Sequence, residues 1–450
     1  MNILHYSLGY PPFRTGGMTK YCMDLMTQQK NDGHSVSLLW PGRYSLLDHD
    51  SRIKDRIKYH YSNDILLGSY ELINPMPVPL LEGVCDFDLY TKPINIKGMD
   101  DFFRKNKIDV LHLHTLMGIP YEVVAAAKNQ GTKIIFTTHD YYGLCPKCNF
   151  MYGNTGCPSP DTCLYCGRCN DTALSLKKIK ILQSGYYRLI KKTGIVKKLR
   201  KGHISALMDK YSTQTIDERD ADTGIAQKYI ELRQYYTNIL NLCDWIHCNS
   251  TNTRSIFEKF IASDITRVIS ITNKEISDKK RIKDYRKAHL RIGYLGPASV
   301  RKGFFKLLEC LDTVYETIKD FSLIVYNSVS NREYIVANEP YSYDQIEEVM
   351  NGIDVLIVPS ICKETFGFTV LEAYSYGVPV IVSENVGAKD LVKNGSTGFI
   401  YTSDEELIRF IKEIVEDRGI LSRMNVKINQ EVHIKTMKEH SEEMIKLYSL

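Results

Sequence analysis

The sequence predicts an α/β protein built as two halves, each a parallel sheet covered by helices. Short apolar runs alternate with helical stretches over residues 2–139, and the same alternation returns after residue 290. A chain of 450 residues has room for two or three domains. With 43% hydrophobic and 25% charged residues the composition is that of an ordinary globular protein. It excludes a mainly disordered or collagen-like chain.

The elements follow in order. Residues 2–8 (NILHYSL) read as a strand that meets a turn at Gly9-Tyr10-Pro11-Pro12. Gly16-Gly17 opens a helix over 18–31, and 35–40 (SVSLLW) is the next strand. Residues 110–115 and 133–139 are strands with a helix over 121–129 between them. In the second half, strands are expected at 292–295, 323–326, 355–358 and 380–383, and helices at 304–318, 342–351 and 369–376. Residues 42–107 and 140–240 read as less regular insertions. The resulting division is 1–270 for the first domain, 271–430 for the second and 431–450 for a C-terminal helix. In open α/β sheets ligands bind beyond the carboxyl ends of the strands, so residues just after strands are the candidates, facing a cleft between the halves.

Net charge is only +5, so its distribution matters more than its size. No run approaches the ~18 apolar residues of a membrane-spanning helix. The first residues lack the basic and apolar regions of a signal peptide, which points to a cytoplasmic protein.

The segment Pro359-Ser360-Ile361-Cys362-Lys363-Glu364-Thr365-Phe366-Gly367-Phe368 leads from a buried strand into a helix that carries Glu372. A glycine between the two carboxylates lets backbone approach a ligand closely. N–H groups at a helix start, helped by its dipole, suit a diphosphate. On their own the carboxylates read more plainly as a solvated loop Glu and a helix-surface Glu. Upstream, Gly293 to Gly303 (GYLGPASVRKG) places Arg301 and Lys302 in another strand–loop–helix junction. In the first half, Gly16 and Gly17 occupy such a junction, and His139-Asp140 ends a strand. His112 and His114 share one strand face; His112 reads as structural and His114 as facing the cleft.

The segment 359–373, with Val378-Pro379-Val380, Gly387-Ala388-Lys389-Asp390 and Asn394-Gly395-Ser396-Thr397-Gly398 in that order, resembles the E-x₇-E region of glycosyltransferase family 4. That is a retaining family of the GT-B fold, two Rossmann-like domains facing across a cleft. The resemblance is strong over 290–400 and extends to 1–40 and 108–145. It implies that Glu372 binds the nucleotide ribose and that Glu364 holds the sugar or its phosphate. Backbone at Phe366, Gly367 and Phe368 would meet the donor. Lys302 matches the family's phosphate-binding lysine; the usual arginine position holds Pro297, with Arg301 as its substitute. Gly16 and Gly17 match a glycine pair near the phosphate or acceptor, and His139 a histidine near the reacting carbon. The final helix would cross back to the first domain. Mg²⁺ need not be required where protein cations stabilise the leaving diphosphate. No general base is assigned, since the departing phosphate can itself take the acceptor's proton.

Of twelve cysteines, Cys145, Cys148, Cys157, Cys163, Cys166 and Cys169 form one cluster. Two-residue gaps let thiolates share a metal, and zinc takes four of them tetrahedrally. The alternatives are an iron–sulfur cluster, which the Cys163-x₂-Cys166-x₂-Cys169 spacing also fits, or no metal. From Lys177 to Lys201 ten Lys or Arg occur with interleaved aliphatics and Tyr and no Asp or Glu. The stretch reads as a basic helical insertion within 171–240, suited to an anionic membrane surface, with a merely solvated basic face as the plainer reading. No nucleic-acid motif is present.

The expectation is therefore a retaining glycosyltransferase at the inner face of the cell membrane. It would move sugar from a nucleotide-sugar donor to a glycan acceptor, such as one on a polyprenyl diphosphate, in surface polysaccharide assembly. The alternatives are a phosphorylase of the same fold or an inactive nucleotide-sugar-binding protein.

Overall fold

A computed structural model describes residues 1–11, 14–45, 50–61, 65–79, 82–190, 202, 215–285, 289–326 and 331–450. The chain divides into two compact units. The first comprises Met1–Asn249, Arg254–Ile269 and Met437–Leu450; the second comprises Ser250–Thr253 and Ser270–Thr436.

The first unit holds β1 (Asn2–Tyr6), β2 (Ser35–Pro41), β3 (Ser51–Tyr61), β4 (Ile65–Ile73), β5 (Ile96–Lys97), β6 (Val110–Leu113), β7 (Lys133–Thr137), the small hairpin β8 (Met151–Tyr152) and β9 (Thr155–Gly156), β10 (Trp245–Cys248) and β11 (Thr266–Val268). Its main sheet runs β11-β10-β7-β6-β1-β2-β4-β3-β5. All pairings are parallel except β3 with β4. The second unit holds β12 (Leu290–Tyr294), β13 (Phe321–Tyr326), β14 (Ile335–Asn338), β15 (Val355–Val358), β16 (Val380–Ser383) and β17 (Gly398–Tyr401), in the order β14-β13-β12-β15-β16-β17 and wholly parallel.

Central strands are buried on both faces, as expected where helices cover a parallel sheet. Ile3, Leu4 and Tyr6 of β1 and Ile292 of β12 are fully enclosed. The cores are separate. Leu111, Ile134 and Phe136 pack with Tyr236 and Ile239 in one, and Leu323, Val355 and Ile381 pack with Leu407 and Ile411 in the other.

Residues 42–107 are more regular than expected, since they contain β3, β4 and β5. The charges of SRIKDRIKYHY conceal an edge-side strand. Residues 140–240 likewise end in a helix, Thr223–Leu240, that buries Tyr229, Leu232, Tyr236, Ile239 and Leu240 in the first core. That face has helical spacing and belongs to the body of the unit. Lys177, Lys178 and Lys180 lie on the short helix Leu176–Leu182. The rest of the basic stretch from residue 191 to Lys201 lies outside the described residues. The helix Met437–Ser449 packs on the first unit's helix Gly17–Asn31 and buries Met444, Leu447 and Tyr448. Among the described residues no helix is long and apolar enough to cross a membrane.

Candidate active site

Each of the two large sheets has a switch point, where the strand order runs outward in both directions from the unit's first strand. In the second unit it lies between β12 and β15, and in the first between β1 and β6. Loops leaving the carboxyl ends of the strands on either side diverge there and open a crevice. Lys302 follows β12 and Glu364 follows β15; Gly16 follows β1, and His114 follows β6.

In the second unit two loops are stitched together. The Arg301 carbonyl accepts from the N–H groups of Ile361 at 3.1 Å and Cys362 at 3.2 Å. Gly303 has φ 71°, and a Cβ there would lie 1.7 Å from the Pro359 carbonyl oxygen, so only glycine lets the loops meet. This seam brings Lys302 Nζ to 2.9 Å from Glu364 Oε2. Ser360 Oγ donates to the other carboxylate oxygen of Glu364. Glu364 is largely buried, with its N–H on the Asn385 carbonyl at 2.8 Å. Arg301 reaches the neighbouring Cys362 thiol, whose pKa is raised by burial and lowered in part by Arg301 and Lys302. Arg301 Nε is buried without a hydrogen-bond partner among the described residues. Arg301 and Lys302 therefore both serve the segment 362–364.

Gly367, with φ 106°, precedes the helix Phe368–Ser375. Gly387 packs so closely that a Cβ would lie 2.4 Å from the Thr365 carbonyl oxygen. Phe366 is buried and meets Phe368 edge-on at 5.4 Å. Glu372, half-buried on that helix, acts electrostatically on Tyr341 and Tyr343. Burial chiefly, and the Glu372 charge secondarily, push the Tyr341 hydroxyl up to about 12. Tyr341 also meets Tyr326 edge-on at 4.8 Å. Tyr341 and Tyr343 escaped the sequence reading because they follow a different strand, β14, and carry no motif.

In the first unit, Gly16 has φ 123° and starts the helix Gly17–Asn31, and among the described residues beyond its chain neighbours none has an atom within 4 Å of where its Cβ would be. His139 lies against the Tyr21 ring at 4.7 Å, and its Nε2 is 3.2 Å from His114 Nδ1. Burial holds the His139 ring down to about 3, with His440 adding to the shift. Burial also raises the Asp140 carboxyl to about 6, against the opposing bond from the Tyr142 N–H. His114 corrects the expectation of a cleft-facing side chain. It is fully buried, because the bonds to His5 and His139 draw it into the unit's interior.

Arg233 anchors the cysteine loop from within. Its guanidinium donates to the carbonyls of Leu144, Pro160 and Asp161 and to Cys163 Sγ at 3.0 Å. A bond from Cys166, with help from Arg233, lowers the Cys163 thiol to about 7. Burial raises Cys157 to about 11 and Cys169 to about 12. Cys148 and Cys163 adopt positive φ of 65° and 58°. Among the described residues, the trio with all potential metal-ligand atoms within 4.8 Å of one another is His5, Cys22 and His114, and no three of the six loop cysteines meet that closely.

Two parallel-sheet units, with a lysine–carboxylate pair at one switch point and a glycine-opened helix beside a half-buried histidine at the other, have the architecture of the GT-B class. Residues 15–155 match the family model described as Glycosyltransferase Family 4, and residues 275–431 match that described as Glycosyl transferases group 1. The chain belongs to these glycosyltransferases. It is 23% identical over 402 residues, covering 87% of each chain, to an uncharacterized 42.6 kDa protein in the cps region of Klebsiella pneumoniae. A 143-residue stretch is 27% identical to the capsular polysaccharide biosynthesis glycosyltransferase CapM of Staphylococcus aureus, covering 29% of this chain and 37% of CapM. Among solved structures, Anabaena HepE in complex with UDP and glucose superposes with a TM-score of 0.52 at 14% identity over 99% of both chains.

Proposed function

We propose that this protein transfers a sugar from a nucleotide-sugar donor, with retention of configuration, to a glycan acceptor carried on a lipid in surface polysaccharide assembly. The Lys302–Glu364 pair at the β12/β15 switch point carries this reading. A buried carboxylate holds the ammonium in place before any donor arrives. A donor diphosphate would take up the ammonium's charge, leaving the Glu364 carboxylate to accept hydrogen bonds from sugar hydroxyls. Backbone N–H groups at the start of Phe368–Ser375 would share the negative charge that grows on the leaving diphosphate. Glu372 would accept from a ribose hydroxyl. Likeness to CapM supports the polysaccharide setting.

The test is transfer from UDP-, GDP- and ADP-sugars to membrane-extracted acceptor. Lys302→Ala should lower kcat by about 10²-fold or more, the scale of losing one preorganised group that stabilises developing charge. Unchanged turnover in Lys302→Ala and in Glu364→Gln would overturn the assignment. Product formation driven by free phosphate would favour a phosphorylase.

Two accessory features belong to the same reading. Lys177, Lys178 and Lys180 lie beside exposed Ile181 (62%) and Tyr186 (78%), a pairing that suits an anionic lipid surface. Five of the six thiols, those of Cys145, Cys157, Cys163, Cys166 and Cys169, act electrostatically within one group, which favours a structural zinc that would draw four of the six together. Metal analysis of protein purified without air is the check on zinc, and a metal-free, fully folded protein would remove it.

A further inference from the structure

A chain of eight hydrogen bonds runs through the first unit and ends on His139. His247 Nε2 lies 2.8 Å from the carbonyl oxygen of Ile269, the residue at which the chain leaves this unit. Thr137 Oγ is 2.9 Å from His247 Nδ1, and His112 Nε2 is 2.6 Å from the same hydroxyl. The Tyr448 hydroxyl is 2.7 Å from His112 Nδ1, and Gln29 Nε2 is 3.1 Å from that hydroxyl. Gln29 Oε1 meets His5 Nε2 at 2.8 Å, His5 Nδ1 meets His114 Nε2 at 2.9 Å, and His114 Nδ1 meets His139 Nε2 at 3.2 Å.

The chain can be read in only one direction when its rings are neutral. A carbonyl oxygen accepts and never donates, so His247 carries its proton on Nε2 and must accept at Nδ1. Thr137 therefore donates to His247 and accepts from His112 Nε2–H. That leaves His112 Nδ1 as an acceptor, so Tyr448 donates to it and accepts from the Gln29 amide nitrogen. The Gln29 oxygen then faces His5, which carries its proton on Nε2. The same logic passes through His114 to His139. The orientation of the Gln29 amide thus follows from the Ile269 carbonyl, eight bonds along the chain from His139, independently of how its oxygen and nitrogen are assigned.

We propose that this chain is a directional relay that fixes His139 in its Nε2–H form, with Gln29, Thr137 and Tyr448 as positioning residues for it. The lone pair of His139 is then on Nδ1, where a sugar hydroxyl would donate to the ring. The ring is held as a hydrogen-bond acceptor and is not poised to give up a proton there. This consequence for transfer rests on the function proposed above; the proton placement does not.

Gln29 is the element that can reverse the relay. Once the Tyr448 hydroxyl is removed, the amide is free to turn and present its nitrogen to His5. Every downstream ring would then move its proton to Nδ1. The test is long-range ¹H–¹⁵N spectroscopy of the full chain with ¹⁵N-labelled histidine at neutral pH, without donor. His5, His112, His114, His139 and His247 should all be neutral with the proton on Nε2. In Tyr448→Phe the His139 signal should become that of mixed forms, and kcat for transfer should fall about tenfold or more, as expected when a site imidazole loses its correct tautomer. Thr137→Val cuts the relay elsewhere and gives the same spectral reading should Tyr448→Phe fold poorly. A proton on Nδ1, or a charged ring, at any of the five in the unaltered protein would overturn the relay. So would a His139 signal unchanged in both variants. A metal-bound ¹⁵N signal at His5 and His114 that EDTA abolishes would place a metal on His5, Cys22 and His114 and would also overturn it. His139→Ala tests the functional reading separately: full transfer activity there removes His139 from the site while the spectrum still decides the relay.

Discussion

Gly303 shows how one residue can secure a site it does not touch chemically. Its αL backbone and the Pro359 oxygen 1.7 Å from any added Cβ leave no room for a side chain. Gly303→Ala should cost about 3 kcal/mol, from strained φ and forced separation of the two loops. Chemical denaturation would measure it, and transfer activity should fall further than stability because Lys302 and Glu364 move apart. Lys302, Glu364 and Glu372 were legible in the sequence because each sits within a few residues of its own glycine, strand and helix, so local order reports the junction. Tyr341 and Tyr343 were not, since only the fold brings residues after β14 towards Glu372. The true setting of His114 was hidden for the same reason. Its partners, His5 and His139, come from two other strands, and period-two alternation reveals a face without revealing what covers it.

The strands β1, β6, β7 and β10 gather the buried His5, His112, His114 and His247 and the half-buried His139 into one layer. This layer gives the first unit an acid limit. Burial lowers His5 to about 4 and His139 to about 3, and moves His112 and His114 down as well. Below about pH 6.5 the unfolded chain gains protons at these sites while the folded one does not, so stability falls as pH drops. His5 alone should contribute a loss of about 3 kcal/mol between pH 6.5 and 4. Asp140 works in the opposite sense. With its folded pKa raised to about 6, it binds a proton in the folded state first and so gains stability as pH falls through that range. Four histidines outweigh one carboxylate, and melting temperatures followed from pH 7 to pH 4 should fall steadily. Strand alternation was readable wherever apolar runs were short and bounded, as in β6, β7, β15 and β16. It failed in β3, where charges occupy the strand, and in Thr223–Leu240, whose apolar face lies in a stretch dominated by cysteines and basic residues.

At the scale of the whole molecule, the two units differ in how the chain supplies them. The second unit draws almost entirely on Ser270–Thr436 and has its own core. The first also needs Met437–Leu450, which adds the buried side chains of Met444, Leu447 and Tyr448. Residues 270–436 expressed alone should fold. Residues 1–269 alone should lose about 5 kcal/mol or more of apolar burial and melt well below the full chain. Calorimetry of both fragments, with a peptide of residues 437–450 added to the second, would check this, and the peptide should restore part of the loss. The same arrangement sets an order of events during synthesis. Domains usually mature in the sequence in which they leave the ribosome. Here the earlier unit must wait, with the flank of Gly17–Asn31 uncovered, until the later one has been made, so the nascent first unit is the natural client for a chaperone.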